Sequence, residues 1–162
     1  MVRTGVLTIS DKGSRNERID LTGPAIKDTL EPSIYSVEYY NIIPDEMDLI
    51  CEELIKMCDE LHLDLILTNG GTGFSKRDVT PEATMKVIKK QVPGIPEAMR
   101  QKSLAITPKA MLSRATAGIR DNTLIINLPG SPKGAVENLN FILPALPHGI
   151  EILNGTGGEC AR

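Results

Sequence analysis

Aromatic residues are scarce in this chain: two Phe, three Tyr and no Trp among 162 residues. So few ring faces leave little on which nucleic-acid bases could stack. The net charge of −3 adds no general attraction to polyanions, so any anion must be recognised locally. No apolar run reaches the roughly 18 residues that a membrane span needs. The opening Met1-Val2-Arg3-Thr4 leads into a strand pattern rather than a secretory leader. A cytoplasmic protein, away from membranes and nucleic acid, is expected. Cysteine is limited to Cys51, Cys58 and Cys160, an odd number with no C-x-x-C, which suits free thiols in a reducing compartment. His62 and His148 have no ligand-like spacing, so no zinc site is expected. The chain also has no G-K-S or G-K-T of a P-loop, and its glycines do not complete a dinucleotide fingerprint.

What is present has the composition of an ordinary globular protein, 41% apolar and 24% charged. The length suits one domain, expected over 1–154, with a disordered tail at 155–162. Strand patterns fall at about 2–9, 34–43, 64–68, 112–119 and 123–128. Helical patterns fall at about 23–31, 46–61, 81–90, 95–105 and 133–146, with a short one near 147–153. Asp45 and Glu46 open the 46–61 helix, and Thr80 is the expected N-cap of the next, with Pro81 at its first position. Alternating strands and helices predict an α/β fold, a mainly parallel sheet with helices on both faces. Only Arg120-Asp121-Asn122 separates the last two strands, so these form a hairpin and one strand runs antiparallel.

In an open parallel sheet, ligands bind beyond the carboxyl ends of the strands. Those ends carry Ser10-Asp11, Pro44-Asp45, the Gly70-Gly71-Thr72-Gly73 loop leading to Asp78, and Pro129-Gly130-Ser131-Pro132. If Ile119 pairs with Thr123, counting outward places Ser113 opposite Pro129 at the same edge. Glycines let backbone N–H groups approach phosphate oxygens, and helix N-termini add partial positive charge. Magnesium is commonly held by one or two carboxylates together with substrate phosphates, a part that Asp45 and Asp78 can fill. Arg77, Arg100, Lys102 and Arg114 cluster in the middle third, most of them expected as solvated surface charge. The residues alone thus lead to a magnesium–phosphate site.

Four stretches, "LTNGGTGFSKRDVTPEAT", "PGIPEAMR", "AMLSRATAGIR" and "LIINLPGSPKGAVE", together with "TISD", "DLTGP" and "IPDE" in the same order, resemble the molybdopterin adenylyltransferases of molybdenum cofactor synthesis. This is the MogA type, found also as the G domains of gephyrin-like proteins, and the resemblance runs over about residues 4–150. It implies a three-layer α/β/α fold, a homotrimer, and magnesium-dependent transfer of the adenylyl group of ATP to molybdopterin with release of pyrophosphate. It implies catalytic, metal-holding roles for Asp45 and Asp78 and a substrate-binding role for Ser113. Ser10, Asp11, Gly70, Gly71, Thr72, Gly73, Pro129, Gly130 and Ser131 complete the expected substrate-binding set. A molybdenum-insertion enzyme is an expected partner. Thr22 stands where the D-x-S-G-P pattern has Ser and keeps the hydroxyl. The related MoaB type shares these motifs, so the alternative is a non-catalytic molybdopterin-binding or scaffold module.

Overall fold

Consecutive apolar residues such as Leu65-Ile66-Leu67 and Leu124-Ile125-Ile126 can be buried only where both faces of a strand are covered. The computed structural model describes residues 1–156 and covers them in this way. In chain order the elements are β1 (Val2–Ile9), a one-turn α1 (Asp11–Ser14), α2 (Thr22–Thr29), β2 (Tyr35–Ile43), α3 (Met47–Asp59), β3 (Leu65–Asn69) and α4 (Thr80–Val87). There follow β4 (Lys90–Gln91), α5 (Gly94–Leu104), β5 (Ala117–Arg120), β6 (Thr123–Leu128), α6 (Pro132–Ile142) and α7 (Leu146–Leu153). The strands form one sheet in the order β2-β1-β3-β6-β5-β4. β1, β2, β3 and β6 are parallel, and β5 alone runs against the rest, paired antiparallel to both β6 and β4.

Alternate residues of each central strand feed two separate cores. Leu65, Leu67, Leu124 and Ile126 pack with Ile26, Met99, Leu139 and Ile150 from α2, α5, α6 and α7. Leu7, Ile66 and Ile125 pack with Ile50, Leu54 and Met57 of α3 and Ala83 and Val87 of α4. Each such aliphatic side chain contributes roughly 1.5–3 kcal/mol by its burial. The result is the expected three layers, α/β/α. Among the described residues, no helix is long and apolar enough to cross a membrane.

Several boundaries differ from the sequence expectation, each for a local reason. Residues 112–116 do not join β5. Pro108–Leu112 form a 3-10 turn instead, where Pro108 supplies no N–H and Thr107 Oγ1 accepts from Lys109 N. The hairpin register is one residue off the expected count: Ile119 pairs with Leu124 and Arg120 with Thr123. The turn is therefore only Asp121-Asn122, with Asp121 at φ 49°. The helix expected over 81–90 ends at Val87, and Lys90–Gln91 become the edge strand β4. Gly118 permits this, because a side chain there would collide with Ile88 and with the Lys90 carbonyl. The expected 133–146 helix stops early, α6 ending at Ile142 before a 3-10 turn with Pro144 over Leu143–Ala145, and the short helix expected near 147–153 forms as α7. Of the tail expected at 155–162, Gly155 N donates to Ile152 O and Thr156 N to Glu151 O. Residues 157–162, Cys160 included, lie outside the described residues.

Candidate functional site

β1, β2, β3 and β6 end at one edge of the sheet, and Thr8, Asn69 and Asn127 place polar side chains at or one residue before the ends of three of them. The buried end residues Asn69 and Asn127 are paired internally: Asn69 Nδ2 donates to Thr8 Oγ1 (2.9 Å), and Asn127 Nδ2 donates to Thr68 Oγ1 (3.0 Å) and Thr84 Oγ1 (2.9 Å). Thr8 Oγ1 in turn donates to Asp20 Oδ2 (2.6 Å), which also accepts from Tyr40 Oη (2.6 Å). Burial pushes the Asp20 carboxyl upward. The hydrogen bonds from Thr8, Tyr40 and the N–H groups of Gly23 and Thr22 outweigh it, and Asp20 rests below the usual carboxylate range.

Above this floor, Asp11 and Asp45 lock the ends of β1 and β2 to each other. Asp11 N donates to Asp45 Oδ2 (2.9 Å) and Asp45 N donates to Asp11 Oδ1 (3.1 Å). Arg77 adds a two-pronged bond to Asp11 (2.9 and 3.0 Å) and another to Glu46 (2.7 Å). The two carboxyls consequently shift in opposite directions. The Arg77 guanidinium holds Asp11 below its ordinary range. Burial, with the charges of Asp11 and Asp78 nearby, holds Asp45 above its own.

The glycine loop follows β3. Gly70 (φ 95°) and Gly71 (φ 66°) adopt left-handed backbone open to glycine at little cost. A side-chain carbon on Gly70 would collide with the Ile9 carbonyl. One on Gly71 would collide with Thr80 Oγ1 and lie 3.1 Å from Asp45 Oδ1. Asp78 Oδ2 accepts from Ser75 N (3.0 Å). Arg114 then clamps the loop to α4: its Nε donates to Gly73 O (2.7 Å), its Nη2 to Asp78 O (2.8 Å), and its Nη1 pairs with Glu82. Thr80 does not cap α4 as expected. Val79 occupies that position with no side-chain cap bond, and Thr80 Oγ1 is buried without a hydrogen-bond partner.

Two cavities open at this edge and meet at Ser131. One, of about 350 Å³, is lined by Thr72, Gly73, Ser113, Pro129 and Ser131, with Arg100 and Lys109 among its cations. The other, of about 660 Å³, is lined by Ser10, Gly70, Gly130 and Ser131, with Arg18, Ile19 and Leu21 at its side. Both are within the size range of small-molecule sites, about 300–1,000 Å³. Asp11, Asp45, Gly71 and Asp78 line neither cavity. They sit with the loop that contributes Gly70 to one cavity and Thr72 and Gly73 to the other. Ser113 reaches the edge from the 3-10 turn rather than from a strand, and its Oγ accepts from Ala115 N (3.3 Å). Ser10 Oγ caps α1 through Gly13 N, and Ser131 Oγ caps α6 through Gly134 N. Gly130 O accepts from Thr22 Oγ1 (2.8 Å), the hydroxyl that replaces Ser in the pattern.

Asp45 and Asp78 are the groups that could hold a cation. Among the described residues, no three His, Cys, Asp or Glu side chains converge as a metal cage. An ion here would depend on few protein oxygens and on a ligand's own, as magnesium sites with phosphates do. A side-chain carbon on Gly71 would lie 3.1 Å from Asp45 Oδ1 and one on Gly73 2.9 Å from Asp78 Oδ2, so both carboxylates border the glycine loop, oxygen donors of the kind a hard cation takes. The arginines were the residues undervalued in sequence. Arg77 and Arg114 orient the acidic groups, and Arg100 donates to Ala115 O (2.9 Å) beneath the smaller cavity. Their adjacency to Asp78 and Ser113 in "RD" and "SR" was the available signal. Lys102 is an exposed charge on α5, as expected.

Residues 5–148 match the family described as a probable molybdopterin binding domain. A molybdopterin adenylyltransferase of Helicobacter pylori is 49% identical over 95% of this chain and 89% of its own length. That of Escherichia coli K12 is 38% identical over 99% of this chain and 89% of its own. The crystal structure of the molybdopterin biosynthesis enzyme MoaB from Thermus thermophilus superposes with a TM-score of 0.92, at 50% identity over 97% of this chain and 99% of that one.

Proposed function

The chain is an enzyme that belongs to the molybdopterin adenylyltransferase family, and from that premise we propose that it joins molybdopterin to the adenylyl group of ATP in molybdenum cofactor biosynthesis. In this reaction an oxygen of the molybdopterin terminal phosphate attacks the α-phosphorus of ATP. The new P–O bond forms as the bond to the bridging β-phosphate oxygen breaks, and pyrophosphate leaves. The observation carrying this reading is the Gly70–Gly73 loop, which lines two cavities that meet at Ser131 and has Asp45 beside Gly71 and Asp78 beside Gly73.

The smaller cavity, with Ser113, Arg100 and Lys109, takes molybdopterin, and the larger takes the nucleotide. The N-terminus of α6, capped by Ser131, faces anions from both. Asp45 and Asp78 would hold magnesium, which when bound neutralises charge between the phosphate oxygens and the carboxylates. Arg77 and the reciprocal Asp11–Asp45 bonds keep Asp45 in place while charge accumulates near it. The protein supplies no covalent nucleophile, so the rate arises from positioning and charge neutralisation. Cys58 suits no nucleophilic part either: burial pushes its thiol up to about 11. A homotrimer in the cytoplasm, handing its product to a molybdenum-insertion enzyme, completes the proposal.

Pyrophosphate release tests it. The purified chain with ATP, magnesium and molybdopterin is expected to release pyrophosphate in step with adenylyl-molybdopterin, and ATP alone is expected to release none. Tight molybdopterin binding without pyrophosphate would establish a non-catalytic binding module instead.

A further inference from the structure

Buried hydroxyls normally find a hydrogen-bond partner, since an unpaired one lowers stability. Among the described residues, Thr80 Oγ1 and Tyr35 Oη are the buried side-chain atoms that have none. Thr80 is fully buried, 0% exposed, at the first position of α4, and its own N–H donates to Gly71 O (3.2 Å). Its hydroxyl points onto Gly71. The space a Gly71 side chain would take is bounded on one side by Thr80 Oγ1 and on another, at 3.1 Å, by Asp45 Oδ1. Asp45 Oδ2 is already engaged by Asp11 N, so Oδ1 is the oxygen turned toward that space. A hydroxyl without a bond and a carboxylate oxygen thus both lie against Gly71, where only glycine lets them come this close.

We propose that Thr80 is a further oxygen of the cation site, its hydroxyl contacting the divalent ion or a water bound to that ion beside Asp45. The inference rests on the cation reading of Asp45 and Asp78 and goes beyond it by adding a neutral ligand from the helix that follows the loop.

Manganese binding tests it without turnover. Free Mn²⁺ is followed by its electron paramagnetic resonance signal as the full chain is titrated in the presence of a non-transferable ATP analogue. Thr80→Val keeps the shape and removes the hydroxyl, and is expected to weaken Mn²⁺ binding about tenfold or more. Thr80→Ser is expected to stay close to wild type. Without cation, Thr80→Val should melt at or above the wild-type temperature, because it deletes an unpaired polar atom. Wild-type Mn²⁺ affinity in Thr80→Val, with affinity lost in Asp78→Asn, overturns this inference and leaves the cation reading standing. Equal affinity in wild type and Asp78→Asn overturns the cation reading and this inference together. A lower melting temperature for Thr80→Val without cation marks a packing role and overturns the inference.

Discussion

At the amino-terminal end of the sheet, Asp59 and Arg120 form a two-pronged pair (2.7 and 2.9 Å), Lys89 pairs with Asp121, and Asp64 accepts from Arg3 N and Asn154 Nδ2 (both 2.8 Å). At the carboxyl-terminal end Arg77 pairs with Asp11 and Glu46 and Arg114 with Glu82, yet the two central carboxylates accept from backbone N–H groups. Asp45 accepts from Asp11 N and Asp78 from Ser75 N. The difference follows from chain direction. α3, α4 and α6 all begin at the carboxyl edge and direct their positive N-termini there, so acidic groups can persist without closing every oxygen against a cation. The opposite end receives the negative helix C-termini, where side-chain ion pairs must balance the acids. One end is electrostatically finished, and the other retains the capacity to take a ligand.

Charge neutralisation at the two ends should sharpen this contrast most. Asp78→Asn is expected to lower kcat/KM for adenylylation about a hundredfold or more, with little change in melting temperature, because its amide oxygen can still accept from Ser75 N. Asp64→Asn, at the finished end, is expected to leave kcat/KM unchanged. Steady-state pyrophosphate release with thermal melting reads both, and comparable losses in the two variants would erase the distinction.

A smaller effect is expected from the clamp. Arg114→Lys retains the charge but loses the fork that spans Gly73 O and Asp78 O, so kcat/KM should fall about tenfold with folding preserved. Unchanged kinetics would mean that the glycine loop holds its shape without Arg114.

The subtlest expectation concerns stability against pH. Asp45 is held above the ordinary carboxylate range, chiefly by burial. Its ionisation is harder in the folded chain, so its contribution to stability declines as pH rises through the unfolded value and levels off past the folded one. Asp45→Asn should therefore melt slightly higher than wild type near pH 7, although inactive, and the gap should close in acid. Asp11 runs the other way. Arg77 lowers its pKa, so its stabilisation is present above the unfolded value and is lost as pH falls through the folded one. Melting curves from pH 3 to 8 for Asp45→Asn and Asp11→Asn would show the opposite slopes, and parallel curves would refute them.

Local pattern made much of this readable. Leu65-Ile66-Leu67 and Leu124-Ile125-Ile126 are apolar without alternation, and that dictated central strands covered on both faces. Gly70-Gly71 after a strand indicated backbone that side chains would obstruct, and the structure places left-handed residues there. Ser113 was harder. The expected strand begins only at Ala117, leaving Ser113 just after a 3-10 turn, and the expected register was off by one, yet the residue still arrived at the carboxyl edge, because the chain must cross from α5 to β5 there.

From the sequence alone came the layer order, the parallel direction of the core strands, and hence the edge where Asp45, Asp78 and the glycines would gather. These depend on residue type and spacing, which act within a few positions along the chain. Only the tertiary structure decided which oxygens remain turned toward the site. Arg77 had to travel to Asp11, Arg114 to the glycine loop, and Gly71 to a position against Thr80, across sequence separations that no periodicity records. Hydrogen bonding is short-ranged in space and indifferent to distance along the chain, so partners of this kind are settled only once the sheet has brought its strand ends together.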